Sequence, residues 1–389
     1  MLGPKGAGWT SPAPPPDTTA MISQAAASPL IPGAALTPLA EARSALLAGI
    51  HPVEPRSIQL RDAEGKVLAA PLHAAGPVPR TAIALRDGWA VAAAEVVGAS
   101  SYSPVLRPEP PPFVAAGQGL PPGTDCVLPL DAVSDMGGMA EIAASAAPGE
   151  GVRRAGEDAA AGTLLRGAGE RMRALDVAAA SAAGIERCLV RQPRVRVLSV
   201  GARPDPVSDY LGRQAVLAGA QMVHQAVSER SRASALGTTP RPDLILLTGD
   251  MALAGEIVAQ NGAIVAPNLA LRPGEGAACG RIGDAPAVLV PRRLDAALAL
   301  ELLLIRPLLD RLSGAAPPPP PLEGELARKI SSALGLTELA LLRETIDGFE
   351  PLGVGELSLA AIGRADHWLA VPPESEGHAA GELVEAQPL

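Results

Sequence analysis

Aromatic side chains are nearly missing from this chain of 389 residues: Phe, Tyr and Trp together make up 2% of it. Hydrophobic residues still reach 48%, so the cores have to be built from alanine, leucine and valine. Cysteine is equally scarce. Cys126, Cys188 and Cys279 stand far apart with no Cys-x-x-Cys pair. That excludes a disulfide scaffold and reads as buried small apolar residues in a reducing compartment. The five histidines are scattered, so no zinc site can be read from their spacing. Basic charge is also short: 32 Lys and Arg against 41 Asp and Glu give a net charge of −9. This excludes a nucleic-acid-coating protein, which needs a basic face. It leaves room for a small anion held by a few arginines and backbone N–H groups. No long apolar run is present either. The most apolar stretch, 294–312, is broken by Glu301, Arg306 and Pro307 and reads as a buried helix. Residues 1–35 show no basic start followed by an apolar core, so the expectation is a cytoplasmic protein with no membrane partner.

What is present is punctuation. Glycine and proline number 41 each, and they divide the chain into short segments. Residues 1–35 are low in complexity and read as a disordered tail. "LTPLAEARSALLAGI" (36–50) predicts a helix behind Thr37. Segments 57–72 and 173–185 predict two short strands and a second helix stopped by Gly184. Together 36–72 and 150–190 form an N-terminal linker domain, and 73–149 a β-rich insert within it. From 194 the character changes. "RVRVLSVG", "PDLILLTGD" and "APAVLVPRR" are strands that alternate with helices, which describes a parallel α/β domain over 191–315. Ligands in such sheets bind beyond the carboxyl ends of the strands. That places Gly201, Thr248, Gly249, Asp250, Arg292 and Arg293 on one rim. Five prolines (317–321) make a stiff spacer before a small β domain, 322–389.

Within "TAIALRDGWAV" (81–91), a carboxylate, a glycine and an indole stand side by side. A tight turn would explain Asp87-Gly88, and so would an acid held out toward a ligand. The Glu157-Asp158 pair raises the same two possibilities. Arg292-Arg293 opens a helix, where cations disfavour the dipole, and reads either as a surface pair or as the seat of a bound anion. His367 and Trp368 are expected to pack the last domain.

The order of these parts resembles the MoeA/gephyrin E-domain family, the molybdopterin molybdotransferases, from about residue 36 to the end. "LRDGWAV" is similar to its Asp-Gly-Tyr-Ala-Val segment. "AAGQGLPPGTDCVLPLDAV" and "VRRAGEDAAAGTLL" are similar to two further signatures, the second being the most specific. The resemblance implies a multidomain α/β and β fold: β-rich N-terminal domains, a parallel α/β molybdopterin-binding-like domain and a small C-terminal β domain. It implies a homodimer whose cleft is built by both subunits. The implied reaction inserts molybdate into adenylyl-molybdopterin beside Mg²⁺ and releases AMP. It makes Asp87 and Asp158 cleft carboxylates and metal ligands, with Arg343 as a third catalytic residue. Gly201, Thr248, Gly249, Arg272, Arg292 and Arg293 become contacts for an anionic pterin-nucleotide. Other cofactor-synthesis proteins or a molybdoenzyme are the implied partners.

The departures from the family concentrate on the α/β rim. Ala202 and Arg203 stand where the family has acids, and Asp250-Met251 stand in its second glycine loop. Asn268 and Glu275 replace lysines, and "LVPRRLDA" (289–296) replaces a Pro-Gly-Asn-Pro loop. Arg203, Arg292 and Arg293 could supply replacement phosphate contacts. Three readings follow: an active molybdotransferase, a non-catalytic paralogue that binds or chaperones molybdopterin or its molybdenum cofactor, or a domain scaffold with no cofactor at all.

Overall fold

The alternation after residue 194 folds into a six-stranded sheet in the spatial order Gln221–Val227, Arg194–Val200, Leu244–Gly249, Ala285–Val290, Ala278–Ile282, Gly262–Ala266. The computed structural model describes residues 35–201, 206–227 and 240–389. The expected tail therefore lies almost wholly outside the described residues, as do Ala202 and Arg203. The first four strands of the sheet are parallel, and the last two continue it antiparallel. Central strands with no polar face, such as "LILLTG", are buried on both sides, as a helix-covered parallel sheet demands. The helices Pro206–Leu217, Met251–Asn261 and Leu294–Leu300 supply that cover.

Glu301, Arg306 and Pro307 do not break the long helix. It runs on through a π-helical turn, Glu301–Ile305, into Arg306–Ser313 and stops at Gly314, which is left-handed at φ +62°. Pro307 has no N–H to donate, and the widened turn before it absorbs the missing bond. The buried Glu301 carboxylate accepts from Arg306 Nε and Nη2 at 3.0 and 3.2 Å.

Four further regions surround this unit. Leu39, Ala42, Leu46 and Ile50 enter the α/β core, which ties the helix Leu39–Leu47 to the larger sheet. A three-stranded sheet of Arg56–Gln59, Arg187–Arg191 and Val67–Leu68 has its own core around Leu68, Met172 and Val190. Short strands fill 83–153, with a core around Val96, Cys126 and Ile142. The last unit is a sheet centred on Thr337–Thr345, with Phe349 fully buried beneath it. The proline spacer does not isolate it. Thr337 and Glu338 pair in parallel with Leu271 and Arg272, and Leu269 and Ala270 pair with Thr37 and Pro38.

All three thiols are buried. Burial first, then Asp125 and Glu150, pushes Cys126 up to about 11, and burial alone pushes Cys279 up to about 12. Iodoacetamide at pH 8 should therefore leave Cys126 and Cys279 unmodified in the native state, as mass spectrometry would read out.

Gly88 explains half of the Asp-Gly-Trp stretch. It lies in the strand Gly88–Val91, where an added Cβ would meet the Leu128 carbonyl oxygen at 2.0 Å. Trp89 then donates from Nε1 to Leu130 O at 3.1 Å and stacks edge-on against Phe113. Gly88→Ala should cost about 3 kcal/mol in urea unfolding, because the overlap is with backbone that cannot rotate away. A loss below about 0.5 kcal/mol would refute this close-packing role.

Candidate functional site

Parallel sheets change direction at a switch point, and here it falls between Arg194–Val200 and Leu244–Gly249. The chain leaves the first strand toward Gln221–Val227 and returns on the other side. Both strands end in glycine at positive φ, Gly201 at +109° and Gly249 at +110°. Gly249 has no alternative, since a Cβ there would lie 2.2 Å from Val200 O. The guanidinium of Arg292 covers both turns. Its Nη2 donates to Val200 O at 3.0 Å and lies 2.9 and 3.1 Å from where Cβ atoms of Gly201 and Gly249 would be. Gly201, Gly249 and Arg292 thus meet at one point. Thr248 is fully buried inside its strand, paired with Ser199 and Val290, and sits below the rim rather than on it.

The helix that follows this crevice starts with its own carboxylate. Asp250 is the N-cap of Met251–Asn261, and its Oδ1 accepts from Leu253 N at 3.0 Å. A helix N-terminus beside a glycine turn is where a ligand phosphate would bind. In this chain Asp250 fills that place.

A second cluster lies where the α/β sheet meets the last unit. Arg272 reaches Glu338 through Nη1 and Glu275 through Nε, each at 3.3 Å. Arg293 reaches Asp295 at 2.7 Å and Glu275 at 3.5 Å. Glu338 and Asp295 are buried, whereas Glu275 is half-exposed. Burial opposes ionisation of Glu275, but backbone N–H groups, Arg293 and Arg272 together hold its carboxyl below the ordinary glutamate range. Asp295 is held low in the same way, its burial outweighed by the Arg293 hydrogen bonds and the Ala296 N–H. Two of the three arginines expected to contact ligand, Arg272 and Arg293, are therefore bridged by the glutamate that stands in a lysine position.

The remaining expected residues lie elsewhere and have separate partners. Asp87 is exposed, and its Oδ1 accepts from Ala116 N at 2.8 Å. Asp158 is exposed and paired with Arg153. Residues 83–85 run antiparallel to 153–151, and Val78 bridges Ala159. Asp158 therefore lies at one end of this ribbon, beside Val78, and Asp87 beyond its other end. Among the described residues no three His, Cys, Asp or Glu side chains group to hold a metal ion. Asp87 and Asp158 in one protomer do not form a cage for a resident Mg²⁺. Arg343 pairs across its hairpin with Glu350, which also neighbours Arg328 at 3.5 Å.

Sequence reasoning noticed Asp250 for its charge and missed it as a cap, although an Asp directly before an apolar helix is the usual cap signal. Glu338 carried no local signal, because its arginine lies 66 residues away.

Residues 37–184 match the family model for the MoeA N-terminal region, domains I and II. The N-terminal region of the chain is thus of the MoeA family. Molybdopterin molybdenumtransferase 1 of Mycobacterium tuberculosis is 25% identical, over 86% of this chain and 95% of that protein. Molybdopterin molybdenumtransferase 2 of the same organism is 26% identical, over 68% of this chain and 76% of that protein. The MoeA crystal structure from Pyrococcus horikoshii OT3 shares the fold at 21% identity, with a TM-score of 0.65 over 91% of this chain and 100% of that one. The multidomain architecture expected from the sequence is thus the MoeA one. No described helix is long and apolar enough to cross a membrane.

The cap at the switch point can be tested directly. Asp250→Ala should lower stability by about 1 kcal/mol, the usual worth of an N-cap. It should also strengthen inorganic phosphate binding, read by calorimetric titration. A variant that loses stability but gains no phosphate affinity would show that Asp250 does not compete with an anion.

Proposed function

We propose that this MoeA-family chain works in molybdenum cofactor biosynthesis by holding an anionic pterin ligand at the α/β rim, and that it releases AMP from adenylyl-molybdopterin slowly or not at all. Relatives named molybdopterin molybdenumtransferase support the pathway. The observation that carries the finer reading is the pair of self-supplied carboxylates at the rim. Asp250 caps the helix where a phosphate would be cradled, and Glu275 bridges Arg272 and Arg293.

The chemistry follows from charge. Phosphoryl transfer depends on fixed positive groups and N–H donors around the phosphorus. A carboxylate in that shell opposes the charge that develops as adenylate leaves. Two such contacts at about 1.4 kcal/mol each would slow AMP release about 100-fold. Binding suffers less, because the Arg292 guanidinium still lies over both glycine turns. In this reading a second copy of the chain brings Asp87, Asp158 and Arg343 toward the rim. In one copy these residues are tied up in their own domains.

The transferase reading has one observation in its favour. Arg292 places a guanidinium over both glycine turns, where it could take up part of the lost lysine charge.

The test mixes purified protein with adenylyl-molybdopterin, molybdate and Mg²⁺, and follows pterin binding and AMP release separately. Binding without AMP is expected. The double variant Asp250→Gly, Glu275→Lys should raise AMP release at least about tenfold. Brisk release by the unaltered protein would establish the transferase instead, and absence of pterin binding would remove both readings.

A further inference from the structure

The amino ends of the same sheet carry a different feature. A cavity of about 490 Å³ opens there, between the strand Arg56–Gln59 and the starts of the strands at Arg194, Leu244 and Ala285. It lies at the opposite end of the strands from the rim. Its walls come from the α/β unit, with Ile50 and Leu312 of that core, and from the small sheet that carries Arg56, and ligand cavities commonly lie between structural units.

Two arginines enter it. Arg56 is held in the small sheet opposite Val190, and Arg194 opens the first central strand. Among the described residues, neither guanidinium makes a hydrogen bond or ion pair. The Nε of Arg56 is buried from solvent with no acceptor, a state that costs about 1–3 kcal/mol. Burial and the neighbouring Arg194 both make the charged form of Arg56 less favourable, and Asp243 only partly offsets them. Asp243 is already committed: its Oδ2 accepts from Arg194 N at 2.7 Å. Two forked cations are thus held side by side with no carboxylate in ion-pair range. An oxyanion between them would satisfy the orphaned donor and cancel the repulsion.

The same cavity is lined by Glu54, Asp284 and His51. Neither acid pairs with the arginines. A triphosphate or nucleic acid would be repelled by them, whereas a ligand with a single acidic group and a donor end would satisfy both kinds of wall.

We propose that this cavity is a second ligand site, which takes a small amphoteric molecule: a phosphate monoester or carboxylate between Arg56 and Arg194, and an ammonium or N–H donor end toward Glu54 and Asp284. The site is independent of the rim and does not depend on the pterin reading.

Titration calorimetry on the full chain tests it with three probes: O-phosphoethanolamine, β-alanine and ethyl phosphate. One of the two amphoteric probes should bind, and which one does separates a phosphate group from a carboxylate. Ethyl phosphate, lacking the amine, should bind at least about fivefold more weakly than phosphoethanolamine. Arg56→Gln and Arg194→Gln should each weaken binding at least about tenfold. Asp284→Asn should remove the advantage of the amine, and Arg292→Gln, altered at the rim outside this cavity, should bind these probes as the unaltered chain does. Arg194→Gln keeps the test open if Arg56→Gln fails to fold. The proposal is overturned if no probe binds, or if binding survives both arginine variants or is lost with Arg292.

Discussion

The close approach of Gly249 to the Val200 carbonyl governs the rim. Where two parallel strand ends run within 2.2 Å of a would-be Cβ, only glycine fits. That contact fixes the turn into the helix Met251–Asn261, and hence where its N-terminal N–H groups point. Val200 O accepts from Asp250 N and from the Arg292 guanidinium. The glycine geometry expected of a phosphate cradle is therefore retained. The electrostatics around it have been altered, since a carboxylate now occupies the helix N-terminus and a guanidinium lies over the turns.

The chain answers its own positive charges along this face. Arg293 is bound by Asp295 and Glu275, and Arg272 by Glu338 and Glu275. The buried acids are the fixed members of this network. Burying Glu338 without Arg272 and the Ala333 N–H would leave an uncompensated charge. Glu275 is half-exposed, so its two ion pairs are screened and contribute little to stability. They lower the positive potential around Arg272 and Arg293 without anchoring the fold. A structural site would be expected to bury such a carboxylate.

What the sequence made legible was periodic or punctuated. Strands at 194–200, 244–249 and 285–290 stood out as apolar runs ending in glycine or arginine, and they do form the centre of the sheet. The strands Gly262–Ala266 and Ala278–Ile282 were not legible. Each is short and contains glycine, and they continue the sheet antiparallel, which no strand–helix alternation announces. The same limit applied to the site. Gly201, Gly249 and Arg292 converge because they end neighbouring strands, a relation that topology rules make readable. The Arg272–Glu338 pair depends on a parallel match between two units separated by the proline spacer, and no local pattern encodes that register. At 87–89 the single motif divided by residue. Gly88 is explained by packing, while Asp87 remains exposed with one carboxylate oxygen bonded to Ala116.

That parallel match has a mechanical consequence. Leu269–Arg272 is hydrogen-bonded on one side to Thr37–Pro38 and on the other to Thr337–Thr345. One strand thus links residues 37–38, the Arg272 junction and the last unit in a single ladder. Arg272 ends that strand, and its side chain also crosses to Glu338, so its guanidinium cannot turn toward a ligand without disturbing the junction. Gly355 reinforces this: a Cβ there would meet Arg272 Cδ and Glu338 Oε1, both at 2.7 Å. A ligand that pulls on Arg272 therefore has to work against a buried carboxylate and a backbone ladder together. The exchangeable contact at this junction is Glu275, because it alone combines solvent access with pairing to both arginines. Any anion admitted here has to replace that carboxylate, and the affinity of the junction for anions is set by how readily Glu275 gives way.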